Sequence, residues 1–235
     1  MLIDMHAHTS GISRCCRADA PEILTIAKNS GLDGIILTNH YQKCYLDGGK
    51  ASDFAKKYVN EYLYTAECAE KIGIRTAFGA ELTPEFDTRI HLLMYDIPFA
   101  AVLENPEMWE LPLEEIYRLA KGYGGTLIQA HPFRNGATVL NTAFLDGIEV
   151  NCHPVYKISY REKIFETAKD ADVAVSCGGD FHKDTYRPKC GVYFESGTER
   201  FGESLLKMNK TRLLVHEPNE DEPIEYIFEK NKKEE

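Results

Sequence analysis

Short apolar runs bounded by Gly, Asp or Pro recur along this chain of 235 residues, and helical patterns lie between several of them. The runs are LIDM, GIILTN, IRTAFGAEL, IHLLMYD, GTLIQAHP, GIEVNC, VAVSCGGD and CGVYF. Runs of this length are typical of strands, and the intervening segments have the spacing of amphipathic helices. The alternation predicts repeated β-then-α units and a mostly parallel sheet, open or closed into a barrel.

Two of the intervening segments show the helical pattern clearly. PEILTIAKNSG has Pro21 where the first turn of a helix tolerates it and Gly31 where a helix commonly ends. DFAKKYVNEYLYTAECAEKIG predicts a longer helix of the same kind. The chain has no internal repeat or obvious linker, and only its charged end, EKNKKEE, is strongly biased. We therefore expect one α/β domain over residues 1–235, with the last few residues frayed.

Charge and hydropathy exclude several function classes. The net charge of -10 and the pI near 5.3 argue against a nucleic-acid polymer as partner, because such binding normally needs a basic surface. No apolar stretch approaches the roughly 20 residues that span a bilayer, and no secretory signal is evident, so we expect a cytoplasmic protein without membrane contact. The seven cysteines include no CxxC pair, which argues against a disulfide framework or a zinc ribbon.

Histidines and carboxylates follow the predicted strand ends. A strand projects residues i and i+2 to the same face, so Asp4, His6 and His8 point the same way if the first run is extended. The whole set is His6, His8, His40, Glu81, His91, His131, Glu149, His153, Asp180 and His182. The rim at the C-terminal strand ends is where α/β barrels assemble function, and imidazole and carboxylate groups are common metal ligands. Together they predict a polynuclear metal site, although any one histidine taken singly is better explained as structural.

The motifs HAHTS, LTNH, GAE, a lone His, AHP and GGDFH, in this order, resemble the polymerase and histidinol phosphatase (PHP) family of metal-dependent phosphoesterases. The resemblance covers most of the chain, from His6 to about His182. It implies a distorted, TIM-like (β/α)7 barrel that holds two or three divalent metal ions, commonly zinc, manganese or iron. It also implies hydrolysis of a small phosphate ester by a hydroxide that bridges the metal ions.

The resemblance further assigns individual ligands. The first metal ion would be bound by His6, His8, Glu81 and Asp180. Glu81 would bridge to a second ion, which His91 and His131 also hold. A third ion would be bound by His40 and His182.

Three side chains are the candidates for catalysis. Glu81 can bridge two ions where an imidazole cannot, and Asp180 can orient the attacking hydroxide. His153 can contact or protonate the leaving group, or it supports a metal ligand without binding metal itself. Two further acids are candidates for support. Asp4 would either orient an imidazole or bind a backbone amide, and Glu149 would orient a ligand rather than bind metal.

Cations near the motifs are candidates for binding the substrate phosphate. Arg134, three residues past His131, is the preferred one because a guanidinium matches phosphate bidentately. Arg14 and Lys183 are the other candidates, although each is also explained as a solvated surface residue. The polar segment HYQKCYLDGGKASDF after His40 is expected to shape specificity.

Two departures from the family pattern fall near the third metal position. The family usually has an acid or a histidine a few residues after HxH, where this chain has Ser13, Arg14 and Cys15, and it commonly has Asp where this chain has Asn39. One interpretation is that Cys15 or Cys16 replaces the ligand as a thiolate, which would favour zinc or iron. The other, which we prefer here, is a weak third site at which Arg14 supplies positive charge for a phosphate.

Two other functions remain open at this stage. An amidohydrolase-like enzyme that cleaves C–N bonds also uses HxH on the first strand, although this chain has Glu81 rather than a lysine for the bridging position. A metal-stabilised domain that binds or regulates a partner without catalysis is the third interpretation. The nearly complete ligand set favours hydrolysis of a small phosphorylated substrate.

Overall fold

The computed structural model describes residues 1–182, 189–218 and 220–231. Within these residues the chain forms an 11-stranded sheet with helices packed around it. The strands are β1 (Leu2–Ala7), β2 (Gly34–Leu37), β3 (His40–Tyr41), β4 (Arg75–Leu82), β5 (Leu92–Tyr95), β6 (Thr126–Gln129), β7 (Gly147–Asn151), β8 (Ala174–Gly178), β9 (Gly191–Tyr193), β10 (Lys210–Val215) and β11 (Ile224–Glu229). The α-helices are α1 (Ala20–Asn29), α2 (Ala51–Ile72), α3 (Phe99–Glu104), α4 (Leu113–Gly122), α5 (Ile158–Ala171) and α6 (Phe201–Lys207).

The sheet is mixed. Its strands lie in the order β11-β10-β9-β1-β2-β4-β5-β6-β7-β8, with β3 paired to β4. Neighbours are parallel from β1 to β4 and from β6 to β8, but β5 is antiparallel to both β4 and β6, and β9 to β11 pair antiparallel beside β1. The prediction of a mostly parallel sheet is therefore wrong for these strands. Residues 83–91, which join β4 to β5, are fewer than the dozen or more that a parallel crossover needs.

The sheet curls until β8 meets β1. The backbone N–H of Asp180, just after β8, donates to the carbonyl of His6 in β1 at 2.9 Å. The next N–H toward the N-terminus, that of Gly179, donates to the Asp4 carboxylate at 2.9 Å. The ring is thus nearly closed, with β9 alongside Leu2 and Ile3 of β1. The predicted TIM-like α/β barrel is confirmed as the fold class.

The two helices that the sequence predicts, α1 and α2, are both present. Asp19 caps α1 by accepting a hydrogen bond from the Glu22 N–H, Pro21 lies in the first turn, and Gly31 follows with a φ of +82°. The longer helix α2 ends at Gly73, which adopts the left-handed conformation. No helix in the described part of the chain is both long and apolar enough to cross a membrane.

The apolar core fixes the positions of the strands that carry the candidate site. Every residue of β1, β2 and β5 to β8 is buried. The larger core cluster includes Met5 of β1, Ile128 of β6 and Trp109, and a smaller cluster joins Ile23 of α1 to Ile35 of β2. Side chains at the strand ends are therefore held on a rigid framework.

Gly178, the last residue of β8, allows the close approach to β1. A Cβ at this position would lie 2.4 Å from the Cβ of His6 and 2.6 Å from its backbone nitrogen. We expect Gly178→Ala to lower the free energy of unfolding by about 1–3 kcal/mol, because β8 and β1 would have to move apart to make room for the methyl group. Urea denaturation measures the change. Gly122→Ala at the end of α4, where a Cβ would meet nothing within 4 Å, is the matched control; equal stability of the two variants would contradict tight closure.

Candidate metal centre

The rim of the barrel brings the candidate ligands together from different strands. His6 lies in β1, His40 in β3 and Glu81 in β4, and His131 lies two residues after the end of β6. His91 precedes β5 rather than following it. Because β5 runs antiparallel to β4 and β6, its first residue pairs with the last residues of both, so its start lies at the same rim.

The backbone at two candidate ligands has an unusual conformation. His131 has a φ of 27° and Asp180 a φ of 51°, both in the region that favours glycine. Non-glycine residues in this region cluster at functional sites, where the surrounding structure holds them in place. The conformation at these two positions therefore indicates a site rather than ordinary loops.

The Glu81 carboxylate lies at the centre of the cluster and is fully buried. Its Oε1 is within 3.3 Å of ring nitrogens of His91, His131 and His6, at 2.6, 3.0 and 3.3 Å. Its Oε2 is 2.6 Å from His40 Nδ1 and 3.3 Å from His8 Nε2. A carboxylate surrounded by imidazoles on both oxygens has the arrangement that a bridging ligand needs.

Asp180 faces the same cluster from the other side. Its Oδ1 lies 3.2 Å from His8 Nε2, 3.5 Å from His6 Nε2 and 3.4 Å from His182 Nδ1. Its Oδ2 accepts a hydrogen bond from Arg134 at 2.6 Å. Asp180 thus joins the histidines to a cation at the mouth of the site.

The donor atoms of the cluster fit divalent metal ions. Among the described residues, several buried polar atoms have no hydrogen-bond partner of acceptable geometry, and those in the cluster are His6 Nε2, His8 Nε2, His40 Nδ1, Glu81 Oε2 and Asp180 Oδ1. A buried polar atom without a partner is costly, so atoms that converge in this way indicate a ligand. Imidazole nitrogens and carboxylate oxygens are the donors that zinc, iron and manganese accept.

The structure groups these donors into three sets whose ligand atoms lie within 4.8 Å of one another. The sets are His6, His8, Glu81 and Asp180; His40, Glu81 and His91; and His8, His40 and His182. The first set has the same members as the first ligand set that the family resemblance implies. In the second set, His40 stands where the resemblance implies His131. The assignment of each side chain to a particular ion remains a prediction.

Charge in the metal-free cluster is concentrated on a few groups. Burial raises the pKa of Glu81, but His40, His91 and His6 outweigh it and hold the pKa well below its usual range. Burial lowers the pKa of His40, but Glu81 and Cys15 raise it to about 10. For His8, burial and the nearby His40 lower the pKa well below its usual range. The metal-free centre therefore carries protons that a metal ion has to displace.

Hydrogen bonds behind the cluster fix which ring nitrogen faces inward. His6 Nδ1 lies 2.8 Å from Glu149 Oε1, and since a carboxylate only accepts, Nδ1 donates and Nε2 of the neutral ring presents its lone pair. His8 Nδ1 lies 3.0 Å from Ser13 Oγ, whose own proton goes to Asn39 Oδ1 at 2.8 Å. Ser13 therefore accepts from His8 Nδ1, and His8 Nε2 is also free to bind a metal ion.

The two supporting acids have different roles. Besides orienting His6, Glu149 accepts a hydrogen bond from the His131 backbone N–H at 2.9 Å, so it holds two candidate ligands. Asp4 accepts from the backbone N–H groups of His6 and Gly179 at 3.0 and 2.9 Å. The sequence leaves two roles open for Asp4, and these contacts correspond to the second, the binding of backbone amides.

The structure separates the candidate substrate cations. Arg134 lies beside the cluster on Asp180, with 26% of its side chain exposed. The Arg14 guanidinium instead contacts the Asp47 carboxylate and donates to the Tyr45 carbonyl, and half of its side chain is exposed. Arg14 is thus not brought into the cluster. Lys183 lies outside the described residues.

The adjacent cysteines also differ. Cys15 Sγ lies 3.0 Å from His182 Nε2, whereas Cys16 is buried and donates to the carbonyls of His8 and Ala18. Burial raises the pKa of the Cys15 thiol, but hydrogen bonds with His182 and His40 outweigh it and lower the pKa to about 6. Sequence reasoning left the choice between the two cysteines open, and only Cys15 reaches these histidines.

His153 lies at the edge of the cluster, with its ring 6.2 Å from that of His182. Burial, with a smaller contribution from Arg134, lowers the pKa of His153 to about 4. Its Nδ1 accepts a hydrogen bond from the Val155 N–H at 3.3 Å, so the proton of the neutral ring is on Nε2. At neutral pH the ring is a hydrogen-bond donor rather than an acid.

The Glu149 contacts predict an effect on metal affinity without direct ligation. We expect Glu149→Gln to weaken metal binding by roughly 10–100-fold, because His6 loses the carboxylate that sets its tautomer and basicity. Competition with a chromophoric chelator measures the affinity. Glu114→Gln, an exposed residue of α4, is the control, and an affinity unchanged in both variants would contradict the role of Glu149.

Metal binding is expected to release protons at neutral pH. His40, with its pKa of about 10 in the metal-free protein, is protonated at pH 7 and has to become neutral before it binds a metal ion. Affinity should therefore rise with pH up to about 10, and binding at pH 7 should release one or more protons. Calorimetric titrations in buffers of different ionisation enthalpy measure the number released. Identical heats in all buffers would contradict this expectation.

Comparison with known proteins shows a similarity in fold to solved structures. No protein-family model and no curated protein sequence matches it. A candidate metal-dependent phosphoesterase from Bifidobacterium adolescentis has a TM-score of 0.53 and 17% identity, covering 86% of this chain and 93% of that one. PsfC from Pseudomonas syringae has a TM-score of 0.61 and 17% identity, with 86% and 84% covered. An amidohydrolase from Chromobacterium violaceum, solved with sulfate and no metal, has a TM-score of 0.56 and 16% identity, with 79% and 90% covered. Because the sequence identities are this low, the similarity shows only that the three structures share the barrel fold with this chain.

Proposed function

We propose that this protein is a metal-dependent hydrolase that cleaves a small phosphate ester, as the PHP family does. The observation that carries the proposal is the convergence of buried donor atoms without hydrogen-bond partners, on His6, His8, His40, Glu81 and Asp180. In a purely structural cluster these atoms would form well-directed hydrogen bonds, whereas here they lie close to one another without the geometry of a hydrogen bond. The names of the phosphoesterase and amidohydrolase neighbours are consistent with a hydrolase.

The side chains proposed to hold the ions are those of the three sets described above, together with His131. Bound divalent ions of zinc, manganese or iron would supply the Lewis acidity that activates water and neutralises a phosphate. Both oxygens of Glu81 face imidazoles, Oε1 that of His91 and Oε2 that of His40, which suits a bridging role. Asp180 is proposed to hold the attacking water in line by accepting its hydrogen bond.

Arg134 is proposed to bind the substrate phosphate. Its guanidinium donates a hydrogen bond to a cluster carboxylate, at Asp180 Oδ2. A guanidinium has five N–H donors, so this contact leaves donors that can bind phosphate oxygens. The side chain is partly exposed, so a substrate phosphate can reach it from the solvent.

His153 is proposed to stabilise the leaving group as a neutral hydrogen-bond donor. Its Nε2 carries the proton because Nδ1 accepts from the Val155 N–H. This role differs from general acid catalysis, which a pKa of about 4 disfavours at neutral pH. A hydrogen bond to the departing oxygen requires no change in protonation.

Hydrolysis of a C–N bond is the second candidate. The amidohydrolase from Chromobacterium violaceum shares the barrel, and a buried centre of histidines and carboxylates serves both reactions. Phosphate esters are favoured here because Arg134 supplies a positive charge at the mouth of the site.

The test is product release by protein reconstituted with manganese or zinc. A panel of phosphomonoesters, phosphodiesters and amides is assayed for both phosphate and ammonia. We expect phosphate from at least one ester and no ammonia. Release of ammonia without phosphate would contradict the proposal and support hydrolysis of a C–N bond. No product from any substrate, in protein shown to carry its metal ions, would favour a binding or regulatory role.

A further inference from the structure

The third set of donors has a thiol beside it. His8, His40 and His182 lie at the outer side of the cluster, with ring centroids 4.5 Å apart for His8 and His40 and 4.8 Å apart for His8 and His182. Cys15 Sγ lies 3.0 Å from His182 Nε2, and His182 belongs to the same donor set as His40. The thiol thus adds a sulfur donor beside a set of imidazoles that come from β1, from β3 and from the segment after β8.

We propose that Cys15 is a thiolate ligand of the outermost metal ion, together with His40 and His182. The inference rests on the proposed function only in requiring metal ions in the cluster, and not on the reaction that they serve.

A second observation at this position also indicates a ligand. His8 is fully buried, and its Nε2 has no hydrogen-bond partner among the described residues although it faces the same set. The position therefore has an unsatisfied buried nitrogen, two further imidazoles and a sulfur. The neighbouring Cys16 is not an alternative, because its thiol is directed to the carbonyls of His8 and Ala18.

The donor set determines which metal ions the outer position takes. Sulfur and imidazole ligands select zinc, iron(II) or cobalt(II) over manganese and magnesium. The inner set, with two histidines and the carboxylates of Glu81 and Asp180, has harder donors and accepts manganese as well. The cluster is therefore built to hold a soft ion at its outer edge, even when manganese occupies the inner position. Cys15 itself is exposed, so this ion lies nearest to the solvent.

Cobalt(II) titration of the metal-free protein tests the inference. A thiolate bound to cobalt(II) gives a near-ultraviolet charge-transfer band that nitrogen and oxygen ligands do not give. We expect the band in the wild type and in Cys44→Ser, whose thiol is exposed elsewhere on the surface. We expect Cys15→Ser to lack the band and to bind one cobalt ion fewer. A band that persists in Cys15→Ser, or no band in cobalt-loaded wild type, overturns the inference, as does a failure of the protein to bind cobalt.

A second measurement uses the wild-type chain alone. Zinc should slow the alkylation of Cys15 by a maleimide roughly tenfold or more, because a metal-bound thiolate is a poor nucleophile. Cys44 in the same sample serves as the internal control, and mass spectrometry of the peptides reads both rates. Equal rates for Cys15 with and without zinc would overturn the inference.

The outcome is separable from that of the proposed function. A cobalt band in a protein that hydrolyses no phosphate ester would leave the thiolate ligand standing and refute the reaction. Ester hydrolysis by a cobalt-loaded protein that lacks the band would support the reaction and refute the thiolate ligand.

Discussion

Replacing Asp180 by Asn is expected to lower kcat for phosphate-ester hydrolysis by at least ~10³-fold, or ~4 kcal/mol, while the fold is retained. The amide keeps the shape of the carboxylate but removes its charge. It therefore weakens the contacts with His6 and His8, and it also removes the charged partner of Arg134. Steady-state kinetics on the best substrate of the panel, at saturating manganese, measure the loss.

The control for this variant is Asp53→Asn, which makes the same chemical change at an exposed position in the first turn of α2. It should retain wild-type kcat. The far-ultraviolet circular dichroism of Asp180→Asn should match that of the wild type, because the backbone hydrogen bond from Asp180 to His6 is unaffected. Full activity in Asp180→Asn would contradict the assignment of this residue.

Replacing Glu81 by Gln is expected to remove metal binding at more than one position. Glu81 contacts histidines on both of its oxygens, and it is shared by two of the three donor sets. An amide offers a single weak oxygen ligand and brings no charge to balance the cations. Elemental analysis of the dialysed protein should show the loss of at least one metal ion more than Asp180→Asn loses.

The same variant has a consequence for the metal-free protein. The raised pKa of His40 depends on Glu81, and breaking a buried ion pair costs about 3–5 kcal/mol. The cost should be present at pH 7, where His40 is protonated, and should fall as pH rises toward 10. Urea unfolding at several pH values measures it, with Glu67→Gln on the exposed face of α2 as the control. Wild-type metal content in Glu81→Gln would contradict the bridging role.

The sequence predicted which residue types would meet but not how His91 would reach them. The apolar run after His91 identified a strand, and local pattern does not show strand direction. Direction is set by the connection from β4, whose length forbids a parallel crossover. His91 is at the rim because its strand is reversed.

The loop after β1 is a second place where the sequence did not predict the arrangement of the side chains. Arg14 and Cys15 are adjacent, and the sequence could not show which side chain faces the histidines. In the structure Arg14 is drawn outward by Asp47 and Tyr45, which come from the loop after β3. Such a long-range contact leaves no periodic signal in the sequence, and the preference for Arg14 over Cys15 reflects that limit.

The sequence shows Ser13 only as one of the residues that stand where the family usually has a ligand, and the structure gives it a role of its own. Its hydroxyl lies between His8 and Asn39, and it also accepts the His40 backbone N–H at 3.0 Å. The Ser13 hydroxyl therefore connects the loop after β1 with Asn39, the other position that departs from the family pattern. The departures at Ser13 and Asn39 together form a hydrogen-bond network that orients His8.

The central claim is that the buried donors at the barrel rim bind metal ions, and anomalous scattering from crystals of zinc-loaded protein tests it most directly. We predict anomalous peaks between the side chains of the inner set, His6, His8, Glu81 and Asp180, and a further peak beside Cys15. Crystals soaked in saturating zinc that show the folded barrel with no anomalous peak in the cluster would contradict the account.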